Sequence, residues 1–181
     1  ILDCIFFKEI KNFKLSAVIS SDSEAYALTR AKGADIPTYV VEEALFPNNA
    51  SLSLALRQKL EDLDADLVIL AGFMPRLSQS LAQAFSGKIV GIRTALHPAF
   101  DGMTDIEACE AAIERGVKIS GATSYIANDE GGVGVILDQK AVEMKEGERA
   151  EPLRRRIVEE AGWELLVKAV KRFCEGTRGQ A

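Results

Sequence analysis

The stretch Asp66–Leu77, read DLVILAGFMPRL, constrains the fold of this chain more than any other. Val68, Ile69 and Leu70 form a continuous apolar run with no polar residue alternating through it. Such a run suits a parallel strand covered on both faces, whereas a strand with one wet face alternates. Ala71 and Gly72 then allow a tight turn at the strand's carboxyl end. Ligands of open α/β sheets bind just outside those ends. Phe73–Leu77 is therefore expected to line a pocket.

The remaining segments continue the alternation. Leu15–Ser20 and Pro37–Val41 read as strands around a helix over Ala25–Ala34, with Ser21, Asp22 and Ser23 as helix-start residues and Gly33 near the end. Ser51–Asp62 spaces Leu52, Leu56 and Leu60 by four, a helix. Gln79–Phe85 is a helix ended by Gly87, Lys88–Ile92 a strand, and Asp105–Glu114 a helix capped by Gly116. Ser120–Ala127 and Val135–Val142 are β-rich and joined by a Gly-rich turn. Glu151–Phe173 reads as one long amphipathic helix with Leu153, Ile157, Ala161, Leu165 and Val170 on one side. Strands alternating with helices of about 10–15 residues imply βαβ units. The expected class is α/β: a mainly parallel twisted sheet with helices on both faces and an antiparallel edge hairpin.

Composition narrows the class further. The chain has 181 residues, 48% of them apolar and 27% charged, with a formal net charge of −5. One domain over residues 1–181 is the natural expectation for that length. The acidic balance argues against a general nucleic-acid binder, which needs a basic stripe. No apolar window is long enough for a membrane span. Cys4, Cys109 and Cys174 are scattered and odd in number, which fits a reduced, cytoplasmic setting. With one His and scattered thiols, no metal site is expected. The chain opens on Ile1, and Ile1, Ile5, Phe6 and Ile10 read as one helix face, so it is expected to start inside an element and to have lost its beginning.

Several segments, in this order, resemble the glycinamide ribonucleotide formyltransferase family. They are Ala17–Ser20 (AVIS), Ala25–Ala31 (AYALTRA), Ile36–Val40 (IPTYV), Asp66–Met74 (DLVILAGFM), Arg76–Ser78 (RLS), Gly116–Thr123 (GVKISGAT), Val135–Gly147 and Leu153–Leu166. The resemblance covers nearly the whole chain. It implies a Rossmann-like fold and formyl transfer from 10-formyltetrahydrofolate to the amine of glycinamide ribonucleotide, a small-molecule substrate. It implies a folate pocket at Gly72, Phe73, Met74 and Leu77. Pro75 departs from the family, which has Arg directly after Met, and removes one amide donor. A homo-oligomer is a possible partner state.

The chain departs from the family at its reactive positions. The family's Asn-x-His-Pro-Ser-Leu is Gly91-Ile92-Arg93-Thr94-Ala95-Leu96 here, so Gly91 replaces the Asn and Arg93 the His. The later His of Thr-Val-His-Phe is Tyr125, and the Asp of Asp-x-Gly-Pro is Gly132. The family's phosphate loop would precede Ile1, as would its first strand, whose loss predicts low solubility or a swapped oligomer. Gly91 has no side chain to donate a hydrogen bond, and Arg93 stays protonated and cannot act as a base. No residue of the chain is therefore assigned a catalytic role. His97, Asp129 and Glu130 are the groups that could substitute; His97 also reads as a plain loop histidine and the two carboxylates as solvated turn residues. Arg93 reads either as an oxyanion or phosphate ligand or as a strand-end arginine. Asp35, standing where the family ends a helix with Gly, and Asp138, interrupting an apolar strand, each read as costing about 1 kcal/mol. Three readings compete: an enzyme of the family, an inactive member that keeps a folate pocket or subunit contact, and a plain Rossmann-like nucleotide-binding module.

Overall fold

The computed structural model describes residues 10–73 and 77–176. The chain divides into two compact units, one of residues 1–89 with 127–133 and one of residues 90–126 with 134–181. The reading of Ile1, Ile5 and Phe6 as a helix face lies outside the described residues, as does Cys4; Ile10 is buried.

The first unit opens with a βαβ unit. Strand β1 (Val18–Ser20) and strand β2 (Thr38–Val40) are parallel, with Val18 opposite Thr38 and Ser20 opposite Val40. Helix α1 (Tyr26–Lys32) connects them and buries Leu28 and Ala31. Its start differs from the expected cap. The N-cap is Ala25 with no side-chain cap bond. Asp22 instead closes a local turn, its Oδ1 accepting from Glu24 N at 2.9 Å. A short Asp side chain can satisfy either a turn or a helix start, and here the turn wins.

The end of α1 also differs. Gly33 keeps a right-handed φ of −64°. The left-handed residue is Asp35, at φ 55°. Left-handed backbone is unfavourable for a residue carrying a Cβ, although Asp bears it better than most. Asp35→Gly is expected to stabilise the chain by about 0.5 kcal/mol, read as a rise in Tm of roughly 1–2 °C. An unchanged or lower Tm would show that the Asp side chain offsets its own strain.

Helix α2 (Asn49–Asp62) starts at Asn48, whose side chain accepts from Ser51 N at 2.9 Å. It buries Leu52, Ser53 and Leu56. Strand β3 (Val68–Leu70) is half-buried at all three residues rather than fully covered. Val68 N donates to Lys88 O at 2.8 Å. Helix α3 (Gln79–Ala84) starts at Ser78, whose hydroxyl accepts from Leu81 N.

The second unit is built on strand β4 (Ile89–Arg93), strand β5 (Ile119–Ala127) and the outer strand β6 (Val133–Glu143). Strands β4 and β5 are antiparallel, with Val90 opposite Ile126, Gly91 opposite Tyr125 and Arg93 opposite Thr123. Strands β5 and β6 are neighbours joined by a five-residue turn (128–132), which forces the antiparallel hairpin. The parallel and antiparallel pairs with their helices make the fold α/β.

Helix α4 (Asp105–Glu114) begins with a capping box: Thr104 Oγ1 accepts from Glu107 N, and Glu107 accepts from Thr104 N at 2.7 Å. The long carboxyl-terminal helix is not continuous. It is α5 (Ala150–Ile157), a π turn (Val158–Gly162) and α6 (Trp163–Cys174). Leu153, Ile157, Ala161, Leu165 and Val170 are all buried, as the spacing predicts. A repeat of four runs ahead of an α-helix by about 0.4 residue per turn, and one wider π turn absorbs that drift. The core here is Cys109, Ala122, Val142, Leu153, Ile157, Ala161 and Leu165, with Ile92 packed against it.

Asp138 lies within β6 and is paired: Lys168 Nζ lies 2.8 Å from its Oδ1 and Arg172 Nη1 2.7 Å from its Oδ2. Arg172 also donates to Leu137 O. The carboxylate thus ties β6 to α6.

Candidate functional site

In the first unit, the strand β3 end behaves as the turn chemistry requires. Gly72 has φ 67°, a left-handed value that favours glycine, and it is exposed. Phe73 and Leu77 are half-buried. Met74 and Pro75 lie outside the described residues. Gly131, at φ 82°, sits on Leu77: a Cβ there would come within 2.8 Å of Leu77 O and 2.9 Å of its Cβ. The hairpin turn therefore covers the backbone of Leu77, and any side chain at 131 would push it away.

That turn is organised by Asn128, a residue the sequence reading passed over. Its Oδ1 accepts from Glu130 N at 3.0 Å and Gly132 N at 2.9 Å. An Asn ahead of a Gly-rich turn is the available signal, because its side chain imitates a turn's carbonyl. Asp129 is exposed in the turn, and Ser86 Oγ donates to its Oδ1 at 2.6 Å. At Gly132, a Cβ would meet only the Asn128 amide, at 3.5 Å or more. That is ordinary contact, so a Cβ would fit there. A shallow groove of about 460 Å³ on α2, lined by Phe46, Asn48, Ser51, Leu54 and Gln58 among others, contains none of the expected pocket residues.

In the second unit, β4 delivers Gly91 and Arg93 to one face of the sheet, and β5 delivers Tyr125 and Thr123 opposite them. The Arg93 side chain is 11% exposed. Its Nη2 donates to Phe100 O, and Nη1 lies 3.6 Å from Asp101 Oδ1. Phe100 is held at φ 58°, a strained value for a bulky residue. The guanidinium of Arg115 stands 5.2 Å from the centre of its ring. So Arg93 fastens the loop that follows its own strand through Nη2, while its buried Nε has no hydrogen-bond partner among the described residues.

His97 belongs to that loop. Its Nδ1 is 3.6 Å from Asp101 Oδ1, too long for a hydrogen bond. Its amide donates to Thr123 Oγ1 at 3.0 Å, and Gln139 Nε2 donates to its carbonyl at 2.9 Å. Thr123 in turn donates to Ala95 O at 2.7 Å. The carboxylate beside His97 is thus Asp101, which the sequence reading did not name; the four-residue spacing in one loop was the available cue.

Charge at the site is muted by burial. The Tyr125 phenol is pushed up by burial first and by the Asp105 carboxylate second, so it stays neutral at ordinary pH. Burial, with Asp105 adding, lifts the Cys109 thiol to about 11 and leaves it inert as a nucleophile. Among the described residues no cluster of three or more His, Cys, Asp or Glu is arranged to hold a metal. No described helix is long and apolar enough to cross a membrane.

The family model for formyl transferases matches residues 7–170. The chain belongs to that family. It is 34% identical over 163 residues to the phosphoribosylglycinamide formyltransferase of Haemophilus influenzae, covering 90% of this chain and 75% of the relative. It is 33% identical over 164 residues to the human trifunctional purine biosynthetic protein adenosine-3, of which it spans only 16%. The crystal structure of glycinamide ribonucleotide transformylase 1 from Symbiobacterium toebii superposes with a TM-score of 0.89 at 34% identity, covering all of this chain and 83% of the other.

Proposed function

We propose that this chain has the fold and lineage of a phosphoribosylglycinamide formyltransferase, an enzyme of purine biosynthesis in the cytoplasm, with its transfer step silenced. Gly72, Phe73, Met74 and Leu77 would hold the folate of 10-formyltetrahydrofolate. In the reaction the substrate amine attacks the formyl carbon, a tetrahedral oxyanion forms, and the bond to the folate nitrogen breaks. The amine proton passes to that nitrogen. The step needs fixed donors for the oxyanion and a group that carries the proton.

The observation that carries this reading is the pair at the end of β4. Gly91 supplies no donor beyond its backbone, and Arg93, always protonated, is already committed to Phe100 O and Asp101. His97 faces Asp101 with its backbone clamped on both sides. These contacts account for the loop's shape and leave the proton transfer without an assigned base.

The test is a paired measurement. Titration with 5-formyltetrahydrofolate, a stable stand-in for the donor, should raise Tm by several degrees at ligand concentrations far above Kd. Steady-state assay with 10-formyltetrahydrofolate and glycinamide ribonucleotide should give turnover at least about a thousandfold below an active relative assayed in parallel, since loss of both oxyanion donor and base removes factors of that order. Turnover matching the relative would overturn the silenced step; no thermal shift would overturn the folate pocket.

A further inference from the structure

Gly91 and Tyr125 are directly opposed in the antiparallel pairing of β4 with β5. Opposed residues project to the same face of a sheet, with Cβ atoms close enough to touch. A Cβ built on Gly91 would lie 2.5 Å from Tyr125 Cζ, 2.6 Å from its Oη and 2.9 Å from its Cε1. Carbon atoms settle at about 3.5–4.0 Å, so no side chain fits at 91 while the ring keeps its place. The backbone is not what demands glycine here. Gly91 is absent from the residues of positive φ, and its strand geometry is open to any L residue.

We propose that Tyr125 is a plug: its phenol ring is seated on the bare Cα of Gly91 and closes the position from which the transfer step would be served. The functional half of this inference rests on the reading of Gly91 as the family's Asn position. The steric half rests on the geometry alone. The ring is the mobile end of a side chain, so its seat has to be held. Burial of the half-exposed Tyr125 against β4 holds it, and Arg93, two residues along the same face, stands beside it. Gly132, the other glycine at a reactive position of the family, shows no such occupant. Of these two positions, only 91 is closed to a Cβ.

The consequence is a sign reversal. In a strand, glycine is ordinarily worse than alanine, because it loses more backbone freedom and has nothing to pack. With the ring in place the order inverts. Gly91→Ala should lower Tm by about 5 °C or more, the scale of an overpacked interior. In a Tyr125→Ser background the same substitution should leave Tm unchanged or raise it by about 1–2 °C. If Gly91→Ala alone fails to fold, recovery of a cooperative melt in the Tyr125→Ser background supports the plug equally. A loss of the same size in both backgrounds, or no loss in the unaltered background, overturns it. These outcomes separate the two proposals. Formyl transfer by the unaltered chain would sink the silenced step and leave the seat standing, while a background-independent loss would sink the seat and leave the silenced step standing.

Discussion

Ile157→Ala is expected to destabilise the chain by about 3 kcal/mol, the largest effect of any single change considered. Ile157 is fully buried, and it packs in the cluster that joins Ala122 of β5, Val142 of β6 and Cys109 of α4. Deleting its outer carbons removes transfer free energy and leaves a void. The void cannot collapse easily, because small residues already surround it: Ala122, Ala161 and Cys109 have no length to extend into the gap. Ile157 is also the last residue of α5, directly ahead of the π turn, so relaxation toward it would disturb the phase of the helix on both sides. Urea unfolding should show a lower midpoint with an unchanged slope. Tm should fall by about 6–12 °C. A loss under about 1 kcal/mol would mean that the helix repacks, and that the π turn is a soft joint rather than a fixed one.

Arg156→Met is expected to cost about 2 kcal/mol at neutral pH. Arg156 and Glu148 are almost fully covered, at 13% and 11% exposure. The guanidinium grips Glu148 with two bonds, Nε to Oε1 at 2.9 Å and Nη2 to Oε2 at 2.6 Å. It also donates to Glu143 O at 2.8 Å, at the end of β6. Methionine keeps the length of the side chain, so packing is largely retained and the loss is that of a carboxylate left covered without its partner. The pH dependence has a definite sign. The hydrogen bond from Arg156 holds the Glu148 carboxyl below its usual value of 4.5. A group depressed in the folded state contributes stability above its unfolded pKa and loses it as pH falls through the folded one. The gap between parent and Arg156→Met should therefore be full at pH 7 and shrink below about pH 4.5. Urea unfolding of both at pH 7 and pH 3 reads this directly; a gap that does not narrow in acid would show that Arg156 acts through packing rather than charge.

Much of the architecture was legible because periodicity is a direct record of burial. The spacing of Leu153, Ile157, Ala161 and Leu165 placed one helix face correctly. The Asp105–Glu114 helix came out to the residue, since a capping box begins it and a left-handed Gly116 follows it. What failed to show was the break between α5 and α6, because a π turn leaves the apolar pattern intact and alters only the backbone bonds. The partners of Asp138 were hidden for a related reason: Lys168 and Arg172 lie some thirty residues on, and a lone charge in a strand looks like a defect until its neighbours are known. At the site, the substitutions Gly91, Arg93 and Tyr125 could be read off one by one. Their interdependence could not, since it lives in the β4–β5 register, which places residue 91 under residue 125. The strained Phe100 carried no signal at all, because nothing in its side chain favours a left-handed backbone.

The seat of the Tyr125 ring on Gly91 makes the mutational history of this strand directional. A side chain at 91 and an aromatic ring seated as it is at 125 exclude each other. Restoring a side chain at 91 alone meets the ring. The shortest viable path back runs through a smaller residue at 125. A contact of a few atoms thereby acts as a ratchet in sequence space.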